Sequence, residues 1–303
     1  MDRAIRHHFN KNIKEQERLT GGYTFETWLL TLSDNQKVVF RTQRDFETGG
    51  GRKIVIADIF EREKFFYDTV NKEIDHICPK VYVIDGSFQY YENAYQISEY
   101  IEGTPLNTSC FNEFDTQTKD NIFYQIGQIC AKIGKIEISE NHHYIKQRGS
   151  WGKFITHRLH ERLFALVKND VITLVEIDKI IGNLSEMKAE KLLSLIHLDM
   201  RLENMVYNNG KIFLLDAENC EFGDHLFDLT VIDINYGLKD TFVNGYKSIA
   251  NYFPDLNDNI YPYYKLERLA LILYVYMNEV KSDIATTQHF LAKFNTAKSE
   301  ILK

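Results

Sequence analysis

Asn209-Gly210 stands between two apolar runs, Met205-Val206-Tyr207 and Ile212-Phe213-Leu214-Leu215, and this dipeptide fixes how the stretch can fold. Both residues tolerate positive φ, so they form a two-residue turn whose twist matches antiparallel strands. The register follows from the turn. Asn208 pairs with Lys211, Tyr207 with Ile212, and so on to Asn204 opposite Leu215. Asn204 and Asp216 then emerge side by side at the open end of the hairpin. Asp199 lies five residues before Asn204, on the loop that enters it. Three oxygen-bearing side chains are thereby brought toward one place, which suits a hard cation that takes oxygen ligands and keeps several waters.

Charge supports a site in this segment. The chain carries a net charge of −7, and the stretch from His197 to Asp233 holds eight acids against two bases. Apolar residues alternate with these acids, as in Leu198, Met200 and Leu202, so the acids belong to folded structure rather than to a solvated tail. No basic cluster with interleaved aromatics is present, and a nucleic-acid partner is not expected. No apolar run reaches the length of a membrane span, and Met1-Asp2-Arg3-Ala4-Ile5-Arg6 has no apolar core for a leader. A cytoplasmic protein without a membrane partner is the expectation, as monomer or homodimer. The four cysteines, Cys78, Cys110, Cys130 and Cys220, are too scattered for a metal knuckle or redox pair.

The first hundred residues read mainly as strands. Thr27–Leu32 and Lys37–Arg41 flank the turn signal Ser33-Asp34-Asn35-Gln36. A helix is expected from about Ile54 to Val70, then strands at Val81–Ile84 and Ala94–Ile101. After Gly103-Thr104-Pro105 the pattern becomes helical. Ile122, Ile126, Ile129, Ile133 and Ile136 form an amphipathic stripe, and Trp151, Ile155, Leu159 and Leu163 recur every four residues. Late helices are expected around Phe242–Phe253 and Leu266–Val280. Strands return at Met205–Tyr207 and Ile212–Leu215. The division drawn from this change of character is a β-rich unit over 1–102 and a larger helical unit over 103–303.

The run His197-Leu198-Asp199-Met200-Arg201-Leu202-Glu203-Asn204, with Asp216 after the hairpin, resembles the aminoglycoside phosphotransferase / choline kinase family. That family's pattern is His-x-Asp-x-x-x-x-Asn with an Asp about a dozen residues on. Gly223-Asp224-His225-Leu226-Phe227-Asp228-Leu229 is similar to a stretch the family often carries next. The resemblance implies an α+β, bilobal protein-kinase-like fold with a small β-rich N-terminal lobe and a larger helical C-terminal lobe. It implies that His197, Asp199 and Arg201 belong to a catalytic loop, with Asp199 orienting the acceptor hydroxyl. It implies that Asn204 and Asp216 hold Mg²⁺ against the nucleotide. Arg201 is open to two readings, a contact with the transferred phosphoryl group or an ion pair with Glu203 or Asp216. Asp228 is read as holding the catalytic loop by hydrogen bonds.

The resemblance extends to the first hundred residues. Phe60-Glu61-Arg62-Glu63-Lys64 looks like the helix that supplies a glutamate, here Glu63, to a phosphate-binding cation, here Arg41. A guanidinium can serve phosphate and carboxylate with paired N–H groups. Thr20-Gly21-Gly22-Tyr23-Thr24-Phe25 resembles the loop that covers the nucleotide, which assigns Gly21, Gly22 and Thr24 to it. Phe25 stands where the family usually has Asn. Gly49-Gly50-Gly51 reads as a connector. Ser98-Glu99-Tyr100-Ile101 looks like the hinge, where the Glu99 carbonyl and the Ile101 amide would bond the purine.

Together these matches imply an ATP- or GTP-dependent phosphotransferase with Mg²⁺ that acts on a hydroxyl of a small molecule. A cationic acceptor such as an aminoglycoside is expected, because Glu218, Glu221 and Asp224 lie beyond the metal ligand and would draw an amine. Choline or ethanolamine, homoserine and sugars remain open as acceptors. A protein kinase is disfavoured because Asp216-Ala217-Glu218 replaces Asp-Phe-Gly. A nucleotide-binding module without catalysis is disfavoured because Asp199, Asn204 and Asp216 are all present.

Overall fold

The computed structural model describes residues 1–19, 25–43, 56–137, 149–186, 193–280 and 283–303. Its elements run α1 (Asp2–Phe9), β1 (Ile13–Leu19), β2 (Phe25–Leu32), β3 (Lys37–Gln43), α2 (Ile56–Glu73), β4 (Val81–Asp85), β5 (Tyr95–Glu99), β6 (Thr104–Pro105), α3 (Thr108–Glu113) and α4 (Thr116–Ile133). They continue with α5 (Trp151–Val167), α6 (Leu174–Glu186), β7 (Ser194–Ile196), β8 (Met205–Asn208), β9 (Lys211–Leu214), β10 (Glu221–Gly223), α7 (Leu226–Tyr236), α8 (Asp240–Ala250), α9 (Tyr261–Val275) and α10 (Ile284–Leu302). This is the α+β composition expected, strand-rich first and helical later. Two compact units form: residues 1–122 with 202–220, and residues 123–201 with 221–303. They group the chain differently from the linear division at residue 103, because the Asn209-Gly210 hairpin pairs with β6.

In the first unit, five antiparallel strands lie in the order β1-β2-β3-β5-β4. Leu30, Leu32, Val38, Phe40, Tyr95 and Ile97 cluster beneath Ala4 and Ile5 of α1. Nothing in the sequence reading anticipated α1 or β1. Helix α1 is two turns long and ends where Asn10 turns left-handed at φ 53°. Strand β1 has exposed residues along most of its length, including Glu15, Glu17 and Arg18, so it lacks the alternation that marks a strand. Charges on an edge strand deter pairing with other chains.

A three-stranded sheet, β6-β8-β9, completes the unit. Asn209 and Gly210 have φ of 49° and 84°, and the pairing runs Asn208 to Lys211, Tyr207 to Ile212 and Met205 to Leu214. Leu215 N–H donates to the Asn204 carbonyl at 2.8 Å, so the expected register holds to its end. Gly103, before β6, has φ 143°. A Cβ there would lie 2.6 Å from both the Tyr207 carbonyl and Val206 Cγ1, which reserves the position for glycine.

The second unit is helical. The apolar stripe of α5 is buried as expected, with Trp151, Ile155, Leu159 and Leu163 each at most 2% exposed. Trp151 Nε1 donates to the Tyr264 hydroxyl at 2.8 Å, which donates to Asp224 Oδ2 at 3.1 Å, so three elements share one buried chain of bonds. Helix α4 stops at Ile133, three residues before the end of the isoleucine stripe. Helix α9 starts earlier than expected, at Tyr261 with Pro262 in its first turn, where a missing N–H does no harm. Helices α6 and α10 were not anticipated. Thr173 and Glu176 cap α6 reciprocally, and Asp283 caps α10. Strands β7 and β10 pair over three residues each, too short to show a period.

Candidate active site

In the first unit the geometry is built on β3. Arg41 lies near its end, and Glu63 lies on α2. Arg41 Nη1 donates to both Glu63 oxygens, at 2.8 and 2.6 Å. Glu63 is fully buried and also accepts from the Tyr67 hydroxyl at 2.9 Å. A buried carboxylate is tolerated only when paired and fully bonded, and this one is. Arg41 Nη2 donates to Asp216 Oδ1 at 2.9 Å and lies 3.8 Å from Glu218. The guanidinium rests over the Phe25 ring at 4.6 Å. Burial opposes its charge, but Glu63 and Asp216 outweigh burial and hold its pKa above the ordinary arginine value. Phe25, the departure from the family loop, thus serves as a floor for Arg41.

Asp216 takes a left-handed backbone, φ 59°, directly after the hairpin, and its carboxylate is 44% exposed. Asn204 is buried opposite Leu215. A cavity of about 480 Å³ is lined by Val39, Arg41, Met205 and Asp216 among others, with Glu99, Tyr100 and Ile101 on its wall. The Glu99 carboxylate accepts from Lys80 N–H at 3.0 Å, which pins the end of β5. Gly21, Gly22 and Thr24, and the Gly49–Gly51 connector, lie outside the described residues.

In the second unit the loop after β7 is held by Asp228 at the start of α7. Its two oxygens accept from His197 N–H and Leu198 N–H, each at 2.8 Å. Leu198 is left-handed, φ 65°, a strained state for a branched residue that these bonds maintain. His197 is buried, and its Nδ1 accepts from Asp199 N–H at 3.3 Å. Arg201 lies beside Asp199. Its Nε and Nη2 fork onto the two oxygens of Asp199, both at 2.8 Å. Arg268 Nη2 reaches Asp199 Oδ1 at 2.7 Å. Burial opposes the Asp199 charge, yet Arg268 and Arg201 hold its carboxyl well below the usual carboxylate range.

Arg268 was missed in the sequence, as was its neighbour Glu267. Both are buried on α9, and Glu267 accepts from Arg158 Nε and also pairs with Arg162. The signal was an acid and a base adjacent in an apolar helical run, Leu266-Glu267-Arg268-Leu269, where charges stay only if partnered. The acid surface expected to draw an amine needs correction. Glu221 and Asp224 are buried, Asp224 is bonded to Tyr264 and to Leu226 N–H, and Glu218 lies beside Arg41. Glu221 and Asp224 are turned inward with the strand and helix starts that carry them, whereas Glu218 lies on the cavity wall.

Among the described residues no group of three or more His, Cys, Asp or Glu gathers to hold a metal. Asn204 and Asp216 stand at one hairpin end, and both carry side-chain oxygens of the kind Mg²⁺ accepts. No described helix is long and apolar enough to cross a membrane. The four cysteines are free thiols.

Residues 1–289 match the family model described as fructosamine kinase. No curated protein sequence matches the chain. A candidate fructosamine-3-kinase from Haemophilus somnus 129PT is 18% identical, with 100% of this chain and 96% of that chain covered and a TM-score of 0.70. The ADP-bound aminoglycoside phosphotransferase APH(2'')-Ib is 16% identical over 99% of both chains, TM-score 0.66. The ternary complex of streptomycin, ATP and APH(2'')-IIa gives 16% identity over 99% of this chain and 94% of that one, TM-score 0.64. At these identities the likeness is one of fold, and it is the kinase-like fold that the catalytic-loop motif implied.

Proposed function

Because this chain belongs to the fructosamine kinase family, we propose that it moves the terminal phosphoryl group of a nucleoside triphosphate onto a hydroxyl of an amine-linked sugar. Membership makes it a small-molecule kinase with an alcohol acceptor and a nucleotide donor. The nucleotide half of this reading is carried by one observation: Arg41, locked by Glu63 and Asp216, stands in the wall of the 480 Å³ cavity.

In this reading the cavity takes the nucleotide, with the base against Glu99–Ile101 and the phosphates toward Arg41. Mg²⁺, held by Asn204 and Asp216, would neutralise charge on the phosphates. Asp199 receives the acceptor hydroxyl. The new oxygen–phosphorus bond forms, the bond to the β-phosphate oxygen breaks, and the hydroxyl proton passes to Asp199. A carboxylate held far below its usual range is a weak base. It therefore orients the hydroxyl first and takes the proton late, once the oxygen has become acidic. His197 and Asp228 position the loop.

The buried state of Glu221 and Asp224 removes the argument that pointed to an aminoglycoside, and the family description favours a sugar carrying an amine. The test is nucleotide consumption with ATP or GTP and Mg²⁺ over a panel: an amine-linked ketose, an aminoglycoside, choline, homoserine, free hexoses and a generic protein substrate. The ketose should raise turnover furthest above the acceptor-free rate. Stimulation by the aminoglycoside alone would overturn the acceptor, and stimulation by protein alone would overturn the small-molecule reading.

A further inference from the structure

The second unit holds more positive charge beside Asp199 than its own carboxylates require. Arg158 and Arg162 lie one turn apart on α5, and both pair with a single oxygen, Oε1 of Glu267. Glu267 is fully buried, and the next residue on α9, Arg268, reaches Asp199. With Arg201, four guanidiniums stand among three carboxylates, Asp199, Glu267 and Asp228, the last within electrostatic reach of Arg268. Arg268 is 5% exposed, and its Nε has no hydrogen-bond partner. Arg158 spends only its Nε on Glu267, so the two Nη groups of its fork keep their donors. Its remaining contact is with the Phe154 ring, 5.7 Å from the guanidinium carbon.

Buried unpaired donors and excess buried charge both carry a penalty. An arginine pair kept in one place by a shared buried carboxylate, with unused forks, has the geometry that takes a carboxylate or phosphate in paired bonds. Burial brings the Arg162 guanidinium down to about 9 against the opposing pull of Glu267, with Arg158 and Arg268 adding to the fall. The side chains of Arg158 and Arg162 are 19% and 18% exposed, so the pair is shielded without being sealed.

We propose that Arg158, Arg162 and Arg268 form an anion subsite of the acceptor site, and that the preferred acceptor carries a carboxylate a few bonds from the hydroxyl presented to Asp199. Glu267 is the strut that gathers the arginines. The inference rests on the reading of Asp199 as the acceptor-side carboxylate, and it reverses the charge expected of the acceptor's recognised end. A sugar–amino-acid adduct has both an amine and a carboxylate and satisfies both readings.

The test compares N-(1-deoxyfructosyl)glycine with its neutral glycinamide counterpart. Binding to the Mg²⁺–ADP-loaded protein is measured by calorimetry, and turnover is measured separately with ATP. The carboxylate compound should bind at least about tenfold more tightly, the worth of one hydrogen bond to a charged group. In Arg158→Gln and Arg162→Gln the ratio between the two compounds should fall to about one. A purely structural role would weaken both compounds and leave the ratio unchanged. Equal binding of the two by the wild type, or no binding of either, overturns the subsite. If the variants weaken a non-hydrolysable ATP analogue while the acceptor ratio persists, the arginines serve the transferred phosphoryl group and the proposal fails. Preferential binding without turnover supports the subsite and removes the assigned substrate. Equal turnover of both compounds does the reverse.

Discussion

Replacing Arg268 with methionine tests whether the Asp199 carboxylate owes its state to its neighbours. Arg268 is 6% exposed at its side chain and bonds Asp199 at 2.7 Å. Arg201 makes two bonds to the same group, but its side chain is 40% exposed, so water screens that contribution. Removing one partner of a buried ion pair leaves an effect of about 3–5 kcal/mol. At about 1.4 kcal/mol per unit, the Asp199 pKa should rise by about two to four units. The sign is set by the direction of the present shift. Asp199 now sits well below the carboxylate range, so it stays ionised throughout ordinary acid conditions. The wild-type kcat/KM should therefore be flat from about pH 8 down to about pH 5 where Asp199 governs it. In Arg268→Met the acid limb should move up by those two to four units, with roughly a one-proton slope. Arg268→Lys keeps a charge without the fork and should restore much of the flat profile. The assay is a coupled measurement of ADP release from neutral pH down to the most acidic pH at which the protein stays folded, with folding checked by circular dichroism at each pH. A variant that loses activity equally at every pH keeps Asp199 ionised without Arg268. That result would refute the claim that Arg268 sets the charge state of Asp199.

Three further outcomes follow from the same geometry. Asp199→Asn should preserve nucleotide affinity and lower kcat by roughly 10²–10⁴, the usual worth of a positioned base; a change confined to KM would show that Asp199 only binds the acceptor. Asp216→Asn should abolish turnover and uncouple ATP affinity from Mg²⁺ in a titration, and an unchanged Mg²⁺ dependence would remove Asp216 from the metal site. Gly103→Ala should destabilise the protein by about 2–4 kcal/mol, because a Cβ meets the Tyr207 carbonyl at 2.6 Å on a backbone that disfavours side chains; urea unfolding measures it, and a loss under about 0.5 kcal/mol, the range of ordinary surface changes, would contradict the packing.

What could be read in the sequence was local. The Asn209-Gly210 turn fixes its own register, so the placement of Asn204 opposite Leu215 came from backbone chemistry alone. The Arg41–Glu63 pair was legible only through resemblance, since nothing along the chain links residues 22 positions apart. Asp228 could be assigned as an anchor because it opens an apolar run, where a carboxylate must find donors. The arginines around Asp199 could not be found this way. Arg158, Arg162 and Arg268 come from two helices separated by about a hundred residues, and their meeting depends on how α5 and α9 pack. The acids at 221 and 224 were misjudged for a related reason. Charge counted along a chain does not say which side of a three-residue strand faces inward.

The pairing of β6 with β8 has a consequence for how the chain is made. Thr104 bonds opposite Tyr207, yet the ribosome delivers them a hundred residues apart. At roughly 5–20 residues per second, this interval lasts about 5–20 s. Throughout it the nascent five-stranded sheet lacks Met205, Val206, Leu215 and Asp216, the residues that close one wall of its cavity. Ile77, whose carbonyl receives Leu214 N–H, waits for the same segment. The first 122 residues therefore emerge without that wall, and the apolar side chains it covers wait until the hairpin leaves the exit tunnel. Under the proposed function, nucleotide can stabilise the newborn protein only after that moment, and a chain arrested near residue 200 should be a substrate for chaperones or proteases.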